Sequence, residues 1–344
     1  MTVRGQGMDE RSRLSARTPS LLARAAISRA VRGYFEAQGF LEVETPARVI
    51  SPGQELHLDA LPAGGGRHLI TSPEYHMKRL VAGGLPHIVQ FCRCFRAEED
   101  GAFHQPEFTM IEWYRAGGTM DELMLDCEAI VEVAARAAGT WPKVSVPTNR
   151  RSEHGAEVLA LDGTFERTTV RDLFHRHACF GLRGDENQAE MRALAVRAGC
   201  QVGPAAAWDD IFYQVFLDRI EAHLGCQRPT FVSDWPVPLG ALARRKPEDP
   251  LTVERFELYA GGLELANAFG ELTDSVEQRT RFVEEAELRR QRGRAVYPID
   301  EKLLAALGHM PPTCGIALGF DRLVMLVVGA SCIRDVLAFA HDEA

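Results

Sequence analysis

The stretch FRAEEDGAFHQPEFTMIEWYR, Phe95 to Arg115, brings arginine, carboxylate, histidine and aromatic side chains together. Two β-rich runs, HIVQFCRCFRAEE and EFTMIEWYR, are joined by DGAFHQP and predict an antiparallel hairpin. Because side chains alternate between strand faces, a shared face is predicted to carry Cys92, Cys94, Arg96, Glu98, Phe108, Met110, Glu112 and Tyr114. These side-chain types suit an ATP-using active site. A charged, solvated hairpin is the alternative, although the interleaved Phe and Met do not favour it.

A second hairpin, ERFELYAGGLELANAF, carries two further carboxylates. If Ala260-Gly261 is its two-residue turn, Glu257 lies directly opposite Glu264. Like charges paired across strands are destabilising unless something compensates them, and a divalent cation would do so. Hard oxygen ligands suit Mg²⁺ that arrives with phosphates. If the turn is one residue out of register, the alternative is a pair of splayed surface glutamates.

The sequence G-F-D-R, from Gly319 to Arg322, lies between the strand CGIALGF and the apolar helix DRLVMLVVG. An arginine in the first turn does not favour the positive end of a helix dipole, so an anionic partner such as a phosphate explains it. A lone strand, G-x-D-R and helix would be a weak signal. The two hairpins and this segment, in this order along the chain, together favour phosphate and Mg²⁺ chemistry.

The remaining pattern predicts the elements that position these residues. An amphipathic helix begins at Pro19 and ends at Gly39, and a strand precedes Pro46. Further helices are predicted from Ser72 to Gly83, at 119–139 and at 274–293, with short helical patterns over 165–226. We predict one mixed α/β domain of the α+β type, an antiparallel sheet flanked by helices, over residues 19–344. Residues 1–18 are expected to be a flexible leader, and 142–161 a surface insertion.

Composition limits the class of protein. The chain has 344 residues, with 39 Lys and Arg against 48 Asp and Glu, and this acidic balance does not favour a nucleic-acid partner. No apolar run approaches a membrane span, and the polar N-terminus has no secretory signal. The eight cysteines include no C-x-x-C pair, which favours reduced thiols over disulfides or zinc. We expect a cytoplasmic protein without a membrane partner.

The three features together resemble class II aminoacyl-tRNA synthetases of the lysyl form. FRAEEDGAFHQPEFTMIEWYR is similar to motif 2, ALGFDR to motif 3 and FLEVETP to motif 1, whereas HQPEFTMIEWY with ELANAFGELTD is specific to the lysyl branch. The similarity runs from about Pro19 to the C-terminus. Within this branch the chain resembles the stand-alone synthetase paralogs that attach (R)-β-lysine to a lysine of translation elongation factor P. The resemblance implies the class II catalytic fold.

The resemblance also implies a nucleotide site. Arg96 would hold the α-phosphate of ATP and Arg322 the γ-phosphate, and these two are the expected catalytic residues. Phe108 would stack on adenine, and Glu257 with Glu264 would bind Mg²⁺. The other residues expected at ATP are Glu98, His104, Gln105 (where the family usually has Asn), Glu264, Leu265 and Gly319.

A lysine pocket is implied in the same way. Its expected lining is Ser72, Glu74, Glu112, Tyr114, Asn267, Phe269, Glu271 and Ala317. A cationic amino acid needs buried carboxylates at its ammonium groups, and Glu112 with Tyr114 fits that need. Ala317 stands where lysyl-tRNA synthetases usually have Gly, so one added methyl would disfavour an α-amino group in its usual place. The chain also departs from the family at Ala268 and Gly270.

The expected activity is therefore that of an ATP-dependent, AMP-forming ligase. It would activate β-lysine as an adenylate and transfer it to the ε-amino group of a lysine on elongation factor P. The absence of room for an anticodon-binding domain before motif 1 counts against tRNA, and motif 1 implies a homodimer. A minimal lysyl-tRNA synthetase-like enzyme with another acceptor is one alternative, and a non-catalytic lysine-sensing paralog is the other. The second is disfavoured because both arginines and both metal-type glutamates are present.

Overall fold

The computed structural model describes residues 10–97, 99–150, 152 and 155–344, and Glu98 lies outside this part of the chain. The strands are β1 (Leu41–Glu42), β2 (Arg48–Val49), β3 (His68–Leu69), β4 (His87–Phe95), β5 (Glu107–Ala116), β6 (Lys143–Ser145), β7 (Val158–Ala160), β8 (Glu166–Thr169), β9 (Thr230–Pro236), β10 (Arg245–Lys246), β11 (Asp249–Ala260), β12 (Leu263–Gly270) and β13 (Thr313–Gly319). The α-helices are α1 (Glu10–Ala37), α2 (Glu74–Ala82), α3 (Met120–Ala138), α4 (Val170–Leu173), α5 (Gln188–Arg197), α6 (Trp208–Arg219), α7 (Ser275–Gln291), α8 (Glu301–Leu307) and α9 (Phe320–Val328).

One large sheet organises the described residues. Its strand order is β1-β4-β5-β13-β12-β11-β9-β8, with β10 also paired to β11. The pairings within this order are antiparallel except for β1 with β4 and β8 with β9, which are parallel. The predicted fold class, an antiparallel sheet flanked by helices, is confirmed. The helices predicted at 119–139 and 274–293 occur as α3 and α7.

The two faces of the sheet have different environments. Ile111 and Trp113 of β5 are fully buried in the main hydrophobic core, which α1, α3 and α9 complete. Since side chains alternate along a strand, Glu112 and Tyr114 point to the opposite face. That face carries the charged residues singled out in the sequence. No helix in the described part of the chain is long and apolar enough to cross a membrane.

The first helix begins nine residues earlier than the sequence predicts. α1 starts at Glu10 and continues through Pro19, so residues 10–18 are helical rather than a flexible leader. Their helix is held to the other end of the chain, because Arg13 and Arg17 both pair with Glu343 at 2.6 Å. Residues 1–9 lie outside the described part. The sequence predicts a helix start at Pro19, whereas this proline lies inside the helix.

The segment 142–161 is less of a surface feature than the sequence predicts. Its strands β6 and β7 pair as a hairpin, with Val144 opposite Leu159. Both of these side chains, together with Val146 and Leu161, are buried in the main core. The expectation of a surface segment is therefore wrong for its alternating apolar residues. Whether the segment is an insertion relative to other family members stays a prediction.

Candidate active site

One row of residues crosses the middle of the sheet. Glu112 of β5 lies opposite Gln90 of β4 and opposite Ala317 of β13. The row then continues from Ala317 to Asn267 of β12 and to Glu257 of β11. Cross-strand partners point to the same face of a sheet, so these five side chains line one floor. The first hairpin and the second therefore line one face of the sheet, which is the candidate site.

Glu112 lies at one end of this floor and is only 2% exposed. Ser72 donates its hydroxyl hydrogen bond to Oε1 of Glu112 at 2.6 Å, and the Tyr114 hydroxyl donates to Oε2 at 3.3 Å. Ser72 also accepts a hydrogen bond from the backbone N–H of Glu74, which fixes the start of α2. Burial, followed by the charge of Glu74, raises the pKa of Glu112 well above its usual value. A buried carboxyl held in this way is prepared to receive a cation.

A buried ion triad lies beside Glu112. The ammonium of Lys78 is 2.6 Å from Oε1 of Glu74 and 2.5 Å from Oε2 of Glu271. Burial opposes the charge on Lys78, but the two carboxylates outweigh it and raise the pKa of the amine. Burial also raises the pKa of Glu271 to about 8, against the effect of Lys78. Two expected pocket carboxylates thus share a cation supplied by the chain.

The sequence interpretation did not include Lys78, although a signal was available. Lys78 follows Glu74 by four residues, and side chains at that spacing meet on one face of a helix. Such a pair on a surface helix is common, so the spacing alone did not indicate a buried group. The second partner of Lys78 is Glu271, which directly follows β12 and pairs with the same ammonium in the buried pocket. Helix spacing gives no indication of this contact.

The second hairpin differs from its predicted register. Its turn is Gly261-Gly262, both with positive φ of 56° and 77°, so Ala260 pairs with Leu263. Two positive φ values define a type I′ turn, for which Gly-Gly is well suited. The ladder then shifts by one residue at Leu265, because Tyr259 pairs with Glu264 while Leu258 pairs with Ala266. The prediction that Glu257 lies directly opposite Glu264 is therefore wrong, since Asn267 takes that place.

Glu257 nevertheless lies within the electrostatic reach of Glu264. Burial raises the pKa of Glu257 to about 7, and Glu264 adds to the rise while Arg255 opposes it. Arg255 donates to Oε1 of Glu257 at 2.5 Å and to Oδ1 of Asn267 at 3.2 Å, and the Tyr259 hydroxyl donates to Oε2 of Glu257 at 2.5 Å. The sequence interpretation missed Arg255. Its spacing of two residues from Glu257, on the same strand face, was the available signal.

The other end of the site gathers the remaining cations. The guanidinium of Arg96 lies 5.1 Å from the centre of the Phe108 ring. Arg322 contacts Nε2 of His104 and donates to the carbonyl of Glu264 at 2.8 Å. Burial, followed by the Arg322 charge, lowers the pKa of His104. These residues form a partly exposed, positively charged area beside an aromatic ring, which suits the phosphates and base of a nucleotide.

Comparisons with known proteins agree with this arrangement. The family described as "tRNA synthetases class II (D, K and N)" matches residues 10–343. The chain belongs to this family. A protein of Enterobacter sp. (strain 638) named "Elongation factor P--(R)-beta-lysine ligase" is 38% identical over 340 residues, which cover 96% of this chain and 97% of that protein. Proteins of the same name from Salmonella arizonae and Klebsiella pneumoniae (strain 342) match with the same identity and coverage. The prediction of an ATP-dependent ligase of the class II synthetase type is thereby confirmed.

Not all residues predicted for this synthetase site point into it. The side-chain amide of Gln105 donates to Asp100 and accepts from the backbone N–H of His341, so it fixes the loop. Leu265 is buried in the main core and could contact a ligand only through its backbone. Gly319 ends β13 and precedes Arg322, and Glu98 lies outside the described residues. Phe269 pairs with Gly315 across β12 and β13, and the centre of its ring lies 5.8 Å from the Arg255 guanidinium.

Proposed function

We propose that this chain activates (R)-β-lysine with ATP and transfers the acyl group to the ε-amino group of a lysine on translation elongation factor P. The observation that carries the proposal is the charge of the buried pocket. Glu74, Glu112 and Glu271 supply three carboxylates and Lys78 one ammonium, which leaves two negative charges when all are ionised. A lysine or β-lysine whose carboxyl group has become an adenylate carries two ammonium groups. Pocket and intermediate are therefore complementary in charge.

The nucleotide end supports activation by adenylate formation. Arg96 is assigned to the α-phosphate and Arg322 to the γ-phosphate, with Phe108 stacked on adenine and His104 beside Arg322. Glu98, Gly319 and the backbone near Leu265 complete the proposed ATP site, whereas Gln105 acts on it through the loop. In this step the substrate carboxylate attacks the α-phosphorus and pyrophosphate leaves. Since the attacking group is already ionised, the chain needs to position it and to neutralise charge, and no general base is required.

The two glutamates of the second hairpin fit a Mg²⁺ ion bound with ATP. Glu257 and Glu264 offer hard oxygen ligands, and the raised pKa of Glu257 reflects the energetic cost of a buried carboxylate that a cation would relieve. Within the described residues, no group of three His, Cys, Asp or Glu side chains is placed to hold a metal ion. The phosphates would therefore complete the coordination. When bound, Mg²⁺ supplies neutralisation of phosphate charge.

The choice of β-lysine over α-lysine rests on Ala317 and on the names of the relatives. The methyl of Ala317 lies in the row between Glu112 and Asn267, where it takes space on the pocket floor. The acceptor, elongation factor P, is proposed because proteins 38% identical over 96% of the chain carry that activity in their name. A cytoplasmic homodimer that does not act on tRNA is proposed on the resemblance of FLEVETP to motif 1 and on the acidic balance.

Pyrophosphate exchange with α-lysine and with (R)-β-lysine, followed by mass spectrometry of elongation factor P, tests the proposal. We expect faster exchange with (R)-β-lysine and a mass increase of one β-lysyl group on one lysine. Exchange with α-lysine together with charging of tRNA would replace this function by that of a minimal synthetase. No exchange with either isomer would favour a lysine-sensing protein.

A further inference from the structure

A loop before α2, residues 54–59, is held firmly by α7 and the segment that follows it. Arg289 of α7, which is fully buried, donates to the carbonyls of Glu55 at 2.7 Å and Leu58 at 2.9 Å. Its other nitrogen donates to Asp59 at 2.6 Å. Gln54 donates to the carbonyl of Tyr297 at 3.0 Å. Irregular backbone with this many fixed points holds its side chains in defined positions.

Glu55 is the acidic residue that this loop brings to the site. Its Oε2 is shielded from solvent and has no hydrogen-bond partner among the described residues. A methyl group built on Gly53 would overlap Oε2 of Glu55 and lie 3.2 Å from Oγ1 of Thr71, so this oxygen lies near the Thr71-Ser72 segment. Ser72 is the residue that holds Glu112. The free carboxyl oxygen therefore borders the lysine pocket.

The charged groups around Glu55 connect both halves of the site. The charges that act on it are Glu74 of the lysine pocket, Glu285 of α7 and Arg96 of the nucleotide end. The other titratable or charged groups packed nearby are Tyr75, Arg281 and Arg289. The carboxyl of Glu55 therefore interacts with a carboxylate of the lysine pocket and with the arginine assigned to the α-phosphate, the two groups that an adenylate must connect.

The other described carboxylates of this region have partners or are acted on by different charges. Glu74 and Glu271 bind Lys78, and Glu112 accepts hydrogen bonds from Ser72 and Tyr114. Glu285 also has an oxygen without a hydrogen-bond partner and lines the same cavity as Glu55, but the charges acting on it are His57, Asp209 and Arg289 rather than Glu74 or Arg96. Among the described carboxylates on which charges of the lysine pocket and Arg96 both act, Glu55 thus has an oxygen available to an incoming amine.

We propose that Glu55 is the general base for acyl transfer, the group that accepts a proton from the ammonium of the acceptor lysine. This inference rests on the proposed function. The acceptor ammonium gives one proton to the Glu55 carboxylate, and the resulting amine attacks the acyl carbon of the adenylate. A C–N bond forms, the bond between the acyl carbon and the phosphate oxygen breaks, and AMP leaves. The second proton of the amine departs with AMP or to solvent, so Glu55 needs to accept only one.

The electrostatics of Glu55 suit this role. Burial, followed by the charge of Glu74, raises the pKa of Glu55 to about 7. A general base is most effective when its pKa lies near the working pH, and such a group accelerates proton transfer by about 100-fold or more. Adenylate formation needs no base, whereas acyl transfer does. Loss of the base should therefore slow only the transfer step, and the two steps can be measured separately.

Glu55→Gln and Glu55→Asp variants test the proposal in single-turnover transfer from preformed β-lysyl-adenylate to elongation factor P. We expect Glu55→Gln to keep pyrophosphate exchange within about twofold and to slow transfer about 100-fold or more, with partial recovery in Glu55→Asp. Hydroxylamine is an amine that is largely unprotonated at neutral pH. It should accept the acyl group equally well from the native enzyme and from Glu55→Gln. In the native enzyme the pH profile of transfer should bend near pH 7, and Glu285→Gln should move that bend to lower pH because it removes a like charge.

Several outcomes would overturn the role of Glu55. Transfer at the native rate by Glu55→Gln excludes a base at this position, and an equal loss of pyrophosphate exchange assigns the residue to substrate binding instead. A pH bend that survives in Glu55→Gln belongs to another group. Failure of the proposed function is distinct, because then the native enzyme itself does not form the adenylate or does not modify elongation factor P.

Discussion

The ammonium of Lys78 lies 2.5 Å from Oε2 of Glu271, and neither side chain is more than 1% exposed. The same ammonium reaches Glu74, four residues earlier on α2. This cation allows two carboxylates to remain close together in a buried pocket before any substrate binds. It also sets the charge of the pocket, and therefore how many ammonium groups a ligand needs to bring.

Replacing Lys78 by Met should destabilise the protein strongly. Removing one partner of a buried ion pair leaves an uncompensated charge, which costs about 3 to 5 kcal/mol. Urea denaturation measures the loss, and lysine at saturating concentration should restore part of it by supplying a replacement ammonium. Arg136→Met is a matched control, because Arg136 pairs with Glu132 at 2.7 Å with the same four-residue spacing but in a solvent-exposed position. Its effect should stay below about 1 kcal/mol, and equal losses in both variants would contradict the argument.

Strand periodicity was sufficient to predict which face of the first hairpin carries the charged residues. It placed Glu112 and Tyr114 on one face, and in the structure Trp113 between them is buried in the core on the other. It could not predict the register of the second hairpin, because that depends on the turn type at Gly261-Gly262 and on the extra residue at Leu265. Both choices are made by local backbone conformation and by packing from neighbouring strands.

Other features depended on contacts between distant parts of the chain. The early start of α1 is stabilised by pairs between its arginines and Glu343, more than 300 residues away, and no local pattern encodes them. Glu55 lies in irregular backbone, where no period of two or 3.6 residues indicates which way a side chain points. By contrast, Val144, Val146, Leu159 and Leu161 alternate as in half-buried strands, so their burial could have been predicted.

Glu112→Gln should weaken the binding of lysine substrates. The change keeps the shape of the side chain and its hydrogen bond from Ser72 but removes the charge that would pair with an ammonium. Hydrogen bonds to charged groups contribute about 1.5 to 3 kcal/mol, so KM for β-lysine should rise about 10- to 100-fold while KM for ATP stays the same. Glu107→Gln on the same strand is the control, because Glu107 is 55% exposed and pairs loosely with Arg93. An equal change in both KM values would indicate a general distortion of β5.

Arg322→Ala should impair the use of ATP. Loss of a cation that stabilises phosphate charge typically lowers the rate about 100-fold or more, and we expect this in kcat/KM for ATP, with KM for β-lysine unchanged. A second readout needs no activity. The Arg322 charge is one cause of the lowered pKa of His104, so NMR titration should find that pKa higher in the variant. Normal adenylation by Arg322→Ala would contradict the role of Arg322 at the phosphate. An unchanged pKa of His104 would contradict the contact between Arg322 and His104.

Binding of β-lysine at pH 7 should release protons. Burial raises the pKa of Glu271 to about 8 against the effect of Lys78, so this carboxyl is partly protonated in the free site, and burial shifts the pKa of Glu112 upward as well. A bound ammonium favours the carboxylate form and lowers both pKa values, which expels protons. Affinity should therefore rise with pH and level off above about 8, where Glu271 has already lost its proton. Calorimetry in buffers of different ionisation enthalpy counts the protons, and Glu271→Gln should release fewer. Binding without proton release would show that these carboxyls are already ionised.

Ala317→Gly should shift the enzyme from β-lysine toward α-lysine. Ala317 lies opposite both Glu112 and Asn267, so removing its methyl opens the floor between the two residues assigned to the substrate. One methyl group in a pocket changes specificity by about 1 to 3 kcal/mol, so the ratio of kcat/KM for α-lysine over β-lysine should rise about 10-fold or more. The matched opposite change is Gly315→Ala, two residues earlier on the same face. A methyl there would overlap Oε1 of Glu271 and the ring of Tyr114, so both isomers should lose activity without a change in their ratio. A constant ratio in Ala317→Gly would place isomer selection elsewhere in the pocket, because the only altered atoms lie on this part of its floor.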